Sequence, residues 1–263
     1  VTGGDASNGV ARTYAAWNWK AGNATLGTGD FTQGSIASTC SRNVDAGFSI
    51  VSYTGASGAS KTIGHGLSKA PEMIIVKDRD STQEWVVYHA SNTAEPETDY
   101  LRLDTTAYTA DYGFWNDTAP SATLFTVDDL RPTGDGNGDD YIAYCFHSVD
   151  GYSKVGSYKG NASADGPFIY TGFRPAYVMI KKSTNVASWH IFDAARDTDN
   201  DVKEYLKADS TAAEATSAAE ATIFDFVSNG LKIRGSSGDM NSNNETYIYL
   251  CFAETPFKYS NAR

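Results

Sequence analysis

Two loops rich in Asp, Asn and Gly are the segments whose composition could bind an ion or a polar ligand. They read GDGNGDDY at 134–141 and GDMNSNNETY at 238–247. Both look like calcium loops, but neither places its oxygen ligands in the register of an EF-hand. Asp, Asn and Gly also favour tight hairpins because they tolerate positive φ. We therefore predict hairpin turns, and the candidate ligand contacts at their tips are Asp135, Asn137, Asp239 and Asn241.

A third acidic segment offers alternate carboxylates. Asp197, Asp199 and Asp201 follow one another at a spacing of two residues, so they could hold a cation such as Ca²⁺. A solvated acidic turn explains the same residues and is the favoured interpretation. No other cofactor is predicted.

Catalytic motifs are scarce in this chain. The four histidines, His65, His89, His147 and His190, show no metal-ligand spacing, and no GxSxG segment occurs. Paired carboxylates for glycoside hydrolysis cannot be chosen by spacing in so acidic a sequence. We predict that the protein is not an enzyme.

An internal repeat organises these residues. PEMIIVK at 71–77 matches PAYVMIK at 175–181, WVVYHA at 85–90 matches WHIFDA at 189–194, and YIAYCF at 141–146 matches YIYLCF at 247–252. The offset stays between 104 and 106 residues, which indicates two copies of one module. YAAWNW at 14–19 resembles the last strand again, so we expect either the end of a preceding module in a longer array or a strand that pairs into the next module. The predicted division is 1–43 as a partial strand and linker, 44–150 as module 1, and 151–263 as module 2.

The repeated blocks have the composition of strands. They are short, rich in β-branched and aromatic residues, and separated by turn residues every 8–12 positions. This pattern predicts an all-β protein made of two tandem antiparallel β-sandwiches of jelly-roll or lectin-like type. The Ala- and Glu-rich stretch 202–222 favours a helix by propensity alone. Because the first copy lacks such a stretch, we predict a strand at 205–207 followed by a loop.

Aromatic and cysteine positions divide between packing and binding. Trp85 and Trp189 occupy the same module position and should pack in a core or between modules, with a sugar-stacking platform as the alternative. Trp115 has no counterpart in the second copy and is the candidate for an exposed ligand contact. Cys145 and Cys251 are equivalent strand residues and are predicted to be small buried hydrophobes.

Overall charge narrows the possible partners. The 263 residues contain 21 Lys and Arg against 32 Asp and Glu, a net charge of −11. Nucleic acid and anionic membranes both require a basic surface, so neither is an expected partner.

Long blocks of this sequence resemble a known group of proteins. They include GFSIVSYTG (47–55), IGHGLSKAPEMIIVK (63–77), YIAYCFHSVDGYSKVGSYKGN (141–161) and ADGPFIYTGFRPAYVMIKK (164–182). These blocks are similar to the repeated C-terminal modules of tail-fibre and other virion-associated proteins of marine bacteriophages. The resemblance implies a lectin-like β-sandwich array on a phage particle, assembled in the bacterial cytoplasm. It carries no catalytic or binding residues with it.

This resemblance leads to an expected function with three alternatives. We expect a virion appendage, either a tail fibre or a capsid fibre or decoration component, that forms a homotrimer, contacts other virion proteins and binds host-surface glycans. The alternatives are a purely structural cement, spacer or filament subunit, a glycan-cleaving appendage, and a free bacterial lectin that depends on calcium.

Overall fold

Strands make up nearly all the regular structure of the protein. The computed structural model describes residues 9–58, 60–136, 138–216 and 224–255, and in these it contains eighteen strands and two short helices. The first half holds β1 (Ser38–Asn43), β2 (Phe48–Thr54), β3 (Lys61–Gly64), β4 (Met73–Asp78), β5 (Val86–His89), β6 (Asp99–Arg102), β7 (Ala110–Asp111), β8 (Leu124–Val127) and β9 (Asp140–Phe146). The second half holds β10 (Ser153–Lys159), β11 (Phe168–Tyr170), β12 (Pro175–Lys182), β13 (Trp189–Asp193), β14 (Glu204–Lys207), β15 (Ala215–Thr216), β16 (Phe224–Val227), β17 (Gly230–Ile233) and β18 (Thr246–Ala253). A 3-10 helix occupies Gly113–Trp115, and the single α-helical turn, α1, occupies Gly238–Asn241.

The two halves of the chain build sheets of the same design. In the first half, a seven-stranded sheet has the order β1-β2-β9-β4-β5-β6-β7, and a two-stranded sheet, β3-β8, shares a core with it. In the second half, a six-stranded sheet has the order β10-β18-β12-β13-β14-β15 and lies with a three-stranded sheet, β11-β17-β16. The paired strands are antiparallel throughout. The all-β, antiparallel prediction is confirmed, and the repeat in the sequence reappears as a repeat in strand order.

Each module has its own core on one face of its large sheet. Side chains alternate along a strand, so Tyr141 and Cys145 of β9 point into the core of the first half. At the equivalent positions of β18, Tyr247 and Cys251 point into the core of the second half. Both cysteines are fully buried and free. A stacked tyrosine pair recurs in both cores, with ring centroids 5.3 Å apart for Tyr53 and Tyr141.

The opposite faces of the two large sheets pack against each other. This shared layer contains alternate residues of equivalent strands, among them Ile75 and Phe146 from the first half and Met179 and Phe252 from the second. Trp189 is buried in this layer, and its indole nitrogen donates to the Arg102 carbonyl at 2.7 Å. The prediction that the two tryptophans pack in a core or between modules is confirmed for Trp189, and the partly buried Trp85 packs against the same layer.

Polar contacts seal the edge of the layer between the two sheets. The Thr109 amide donates to the Ser183 carbonyl at 2.9 Å, and the Ala187 amide donates to the Thr106 carbonyl at 3.1 Å. The buried Lys181 ammonium also donates to the Thr106 carbonyl, at 3.0 Å. The modules are therefore joined by main-chain bonds as well as by apolar contact.

Three local expectations were wrong. Residues 14–19 form neither a terminal strand of a preceding module nor a strand paired into the next one, because no strand is assigned between residues 9 and 20. The boundary at 44 is also wrong, since β1 pairs with β2 along its whole length and so belongs to the first large sheet. The predicted hairpins at the two Asp-, Asn- and Gly-rich loops are also wrong. The loop 134–141 joins β8 and β9, which lie in different sheets. The loop 238–247 contains α1 and joins β17 to β18, which also lie in different sheets.

Other expectations are confirmed or lie outside the described residues. The strand predicted at 205–207 is present as β14. Part of the Ala- and Glu-rich stretch, 217–223, lies outside the described residues. None of the helices in the described ranges is long and apolar enough to cross a membrane.

His89 provides a test of the packing between the two large sheets. Its Nδ1 accepts from the Ser91 amide at 3.2 Å, and its Nε2 donates to the Tyr249 carbonyl of the other module at 3.3 Å. This arrangement requires a neutral ring, and burial lowers the pKa of His89 to about 4. Since the folded state binds fewer protons than the unfolded state between pH 4 and the ordinary pKa of about 6.5, stability should fall as the pH falls through that range.

We expect His89→Gln to reduce the fall of the free energy of unfolding with decreasing pH. A single histidine contributes a slope of at most about 1.4 kcal/mol per pH unit. Urea denaturation at pH 7, 6, 5 and 4.5 measures the free energy of unfolding for both proteins. The two curves should converge or cross as the pH falls; parallel curves would contradict the role given to His89.

Candidate functional site

Trp115 is not an exposed ligand contact, contrary to the sequence prediction. Only 1% of its surface is accessible, because the 3-10 helix Gly113–Trp115 directs the ring into the core of the first module. There it packs edge-on against Tyr88, with centroids 5.7 Å apart, and its indole nitrogen donates to the Asp99 carbonyl at 3.1 Å. Trp115 has no counterpart in the second copy because it fills a space in the core of the first module, and it has no binding role there.

Asn241 is also structural. It is fully buried, and its amide nitrogen donates to Asn161 Oδ1, the Ser163 carbonyl and the Gly235 carbonyl at 2.8–3.0 Å. Its Oδ1 accepts from the Asn161 amide at 2.8 Å. The side chain therefore ties two loops together, so it is unable to reach a ligand at the surface.

The other predicted loop contacts divide between partly accessible and undescribed positions. Asp239 lies in α1, half exposed, with its carboxylate 3.9 Å from Nε2 of the buried His190. Asp135 forms an ion pair with Arg131. Asn137 lies outside the described residues. The three of these residues that the structure describes, Asp135, Asp239 and Asn241, therefore do not form a common ligand site.

The aspartates at 197, 199 and 201 are not gathered around one point. Asp197 Oδ2 accepts from the Lys203 and Glu204 amides at 2.7 and 3.0 Å, which fixes the turn before β14. Asp201 lies 3.8 Å from the Lys203 ammonium. In the described part of the chain, no group of three or more His, Cys, Asp or Glu side chains is placed to hold a metal ion.

An open polar groove, which the sequence analysis missed, lies on the first module. It has a volume of about 390 Å³ and crosses β1, β2 and β9 beside the loop that contains Thr28. Its walls carry the hydroxyls of Thr28, Thr39, Ser52 and Thr54. Tyr53 and Tyr141 form its floor, but both rings are buried, so no aromatic face is open to a ligand.

Arg79 and Asp140 supply the charges of this groove. Their main chains are joined, since the Arg79 amide donates to the Asp140 carbonyl at 2.8 Å. Asp140 Oδ1 accepts from the Thr54 hydroxyl at 2.8 Å. Among the described residues, the exposed Arg79 guanidinium makes no side-chain hydrogen bond or ion pair. The groove thus presents a free cationic donor and a carboxylate acceptor that do not neutralise each other.

The second module lacks this chemistry at the equivalent place. By the repeat, Ser183 and Thr246 stand where the first module has Arg79 and Asp140. The Ser183 amide donates to the Thr246 carbonyl at 2.9 Å, so the main-chain contact is kept while both charges are lost. No described strand lies beside β10 as β1 lies beside β2. The signal that sequence reasoning overlooked was this pair of charges at positions where the other copy is neutral.

Comparison with protein families finds one match. The model of a domain of unknown function, DUF7483, covers residues 2–256. The chain belongs to the DUF7483 family. The DUF7483 match spans both modules and the segment ahead of them, so the family unit is the pair of modules and not one copy. Searches of curated proteins and of solved structures found no match.

Truncation of Trp115 distinguishes a core role from a surface role. We expect Trp115→Ala to lower the free energy of unfolding by about 3–5 kcal/mol, because it leaves a cavity in the core. Tyr108→Ala is the matched control, since that side chain is 55% exposed and its loss should change stability by no more than about 0.5 kcal/mol. Chemical denaturation of both variants measures the difference. Equal effects of the two substitutions would contradict the buried position of Trp115.

Proposed function

We propose that this chain is a non-enzymatic component of a phage virion appendage, a tail fibre or capsid fibre or decoration, that binds host-surface glycans through the groove of its first module. The observation that carries the proposal is the pairing of a free Arg79 guanidinium with the Asp140 carboxylate in an open groove lined with hydroxyls. The resemblance of the repeated blocks to virion-associated modules supports the setting.

Sugar hydroxyls suit such a groove because each one can both donate and accept a hydrogen bond. Neighbouring hydroxyls on one ring would accept from the guanidinium and donate to the carboxylate. Asp140 is the one carboxylate among the residues that line the groove. Because glycoside hydrolysis generally uses two carboxylates about 5–10 Å apart, this lining favours binding over cleavage.

A purely structural cement or spacer role is the second candidate. It is favoured by the absence of an open aromatic ring in the described lining of the groove and by two exposed aromatic side chains elsewhere. Phe168 and Tyr170 are 48% and 66% exposed on β11, which is an edge strand of its sheet. Exposed aromatic residues on a free edge are typical of surfaces that contact another protein.

Glycan binding by groove variants tests the first candidate. Wild-type protein is screened against bacterial surface polysaccharides, and the dissociation constant for the best ligand is measured by calorimetry. We expect Arg79→Ala and Asp140→Asn each to weaken binding at least tenfold, about 1.4 kcal/mol. Arg12→Ala, at an exposed arginine that does not line the groove, should bind as wild type does.

The proposal fails if no polysaccharide binds, or if both groove variants bind with unchanged affinity. Light scattering after size exclusion tests the accompanying expectation of a homotrimer. A species of one chain mass, 28.3 kDa, would remove that expectation for this chain and favour decoration of a lattice.

A further inference from the structure

A second concavity, which we call the inter-sheet cleft, lies between the two large sheets. It has a volume of about 370 Å³. Ile75 and Phe146 of the first sheet form one wall, and Met179 and Leu250 of the second sheet form the other. The cleft is a concavity within this layer, lined by residues of its shared core. Its volume falls within the range of roughly 300–1,000 Å³ that is typical of small-molecule sites.

The chemistry of the cleft is almost entirely apolar. None of the residues that line it is charged. Its polar groups are the Asn18 amide and the polar atoms of its tryptophan and tyrosine rings. Leu103 and Tyr144 at the opening are only half-buried, and Ala208 is exposed, so the cleft opens to solvent. A ligand that leaves water for this space gains burial of apolar surface but finds no partner for a charge.

The segment 17–19 closes one end of the cleft and is held there from both modules. Trp19 packs edge-on against Tyr177, with centroids 5.5 Å apart, and lies 6.5 Å from the Phe146 ring. Trp17 donates from its indole nitrogen to Asp193 Oδ2 at 3.0 Å, and the Arg196 guanidinium lies 5.7 Å from the centre of its ring. These anchors give the cleft a fixed aromatic end wall.

The surroundings favour a small molecule over a peptide strand or a second copy as the occupant. The cleft lies between sheet faces and not at a strand edge, so a backbone inside it would find no ladder to complete its hydrogen bonds. A stable protein interface needs about 800 Å² from each partner, which a concavity of this size does not supply. A compact molecule of low polarity needs neither backbone hydrogen bonds nor a large contact area.

We propose that the inter-sheet cleft binds an uncharged, largely apolar small molecule, aromatic or aliphatic, with its one polar end at the Asn18 side. Six aromatic side chains line it, two tryptophans, two tyrosines and two phenylalanines, and these suit a flat ring or a flexible alkyl chain. The site is separate from the polar groove and independent of glycan binding.

Fluorescence of N-phenyl-1-naphthylamine, an uncharged apolar probe, tests the proposal. We expect the wild-type protein to raise and blue-shift the emission of the probe, with saturation at micromolar concentration. Ala208→Trp should weaken binding at least tenfold because it fills the opening at an exposed position where folding is not at risk. Leu103→Lys, which puts a charge at the same opening, should have the same effect.

Val186→Trp is the matched control, because Val186 is 56% exposed and does not line the cleft. It should bind the probe as wild type does. The proposal is overturned if wild type leaves the emission unchanged, or if all three variants bind equally well. It is also overturned if light scattering shows a dimer that must dissociate before the probe binds, since a second copy would then cover the cleft.

Discussion

The packing of the two large sheets against each other is the constraint on which the rest of the molecule depends. Strands β9 and β18 place apolar residues on both faces, so neither face of either sheet can be left to water. A fully buried side chain of this kind contributes about 1.5–3 kcal/mol, and fourteen buried residues share the layer. Each module therefore supplies the cover for the other, and the contacts at Thr106 and Thr109 follow from that placement.

The two candidate binding regions arise where the repeat is broken. The polar groove exists because β1 extends the first sheet and because Arg79 and Asp140 are charged where Ser183 and Thr246 are not. The inter-sheet cleft is closed at one end by the segment 17–19, which precedes both modules and packs against both sheets. In this duplicated scaffold, both candidate binding regions lie where the copies differ, although core residues such as Trp115 also differ between them.

Much of the fold could be predicted from the sequence because the repeat and the strand composition are physical signals of long range. YIAYCF and YIYLCF are strands at the same position in their sheets, and the cysteines within them are buried as expected. Positions that depend on tertiary packing were not predictable. Trp115 was predicted to be exposed because the second copy has no counterpart, whereas a 3-10 helix turns its ring into the core.

The roles of polar residues in loops were the hardest feature to predict from the sequence. Asn241 has the composition of a loop tip, yet its amide binds carbonyls from three directions, and only the fold determines that they converge. The linker predicted at 1–43 contains β1, whose place in the sheet depends on its pairing with β2. The groove was missed because its residues come from strands that are far apart along the chain.

The layer between the sheets also records how the chain arose. Ile75 and Met179 are equivalent residues of the two copies, as are Val87 and Ile191, and Phe146 and Phe252, and all six lie in that one layer. A face that meets its own equivalent is the signature of a twofold homodimer. An ancestral single module with this face would have paired with a second copy of itself, and gene duplication would then have fused the dimer into one polypeptide. Fusion would leave each half free to change its sequence without losing its partner, and the two halves do differ in charge at Arg79 and Asp140.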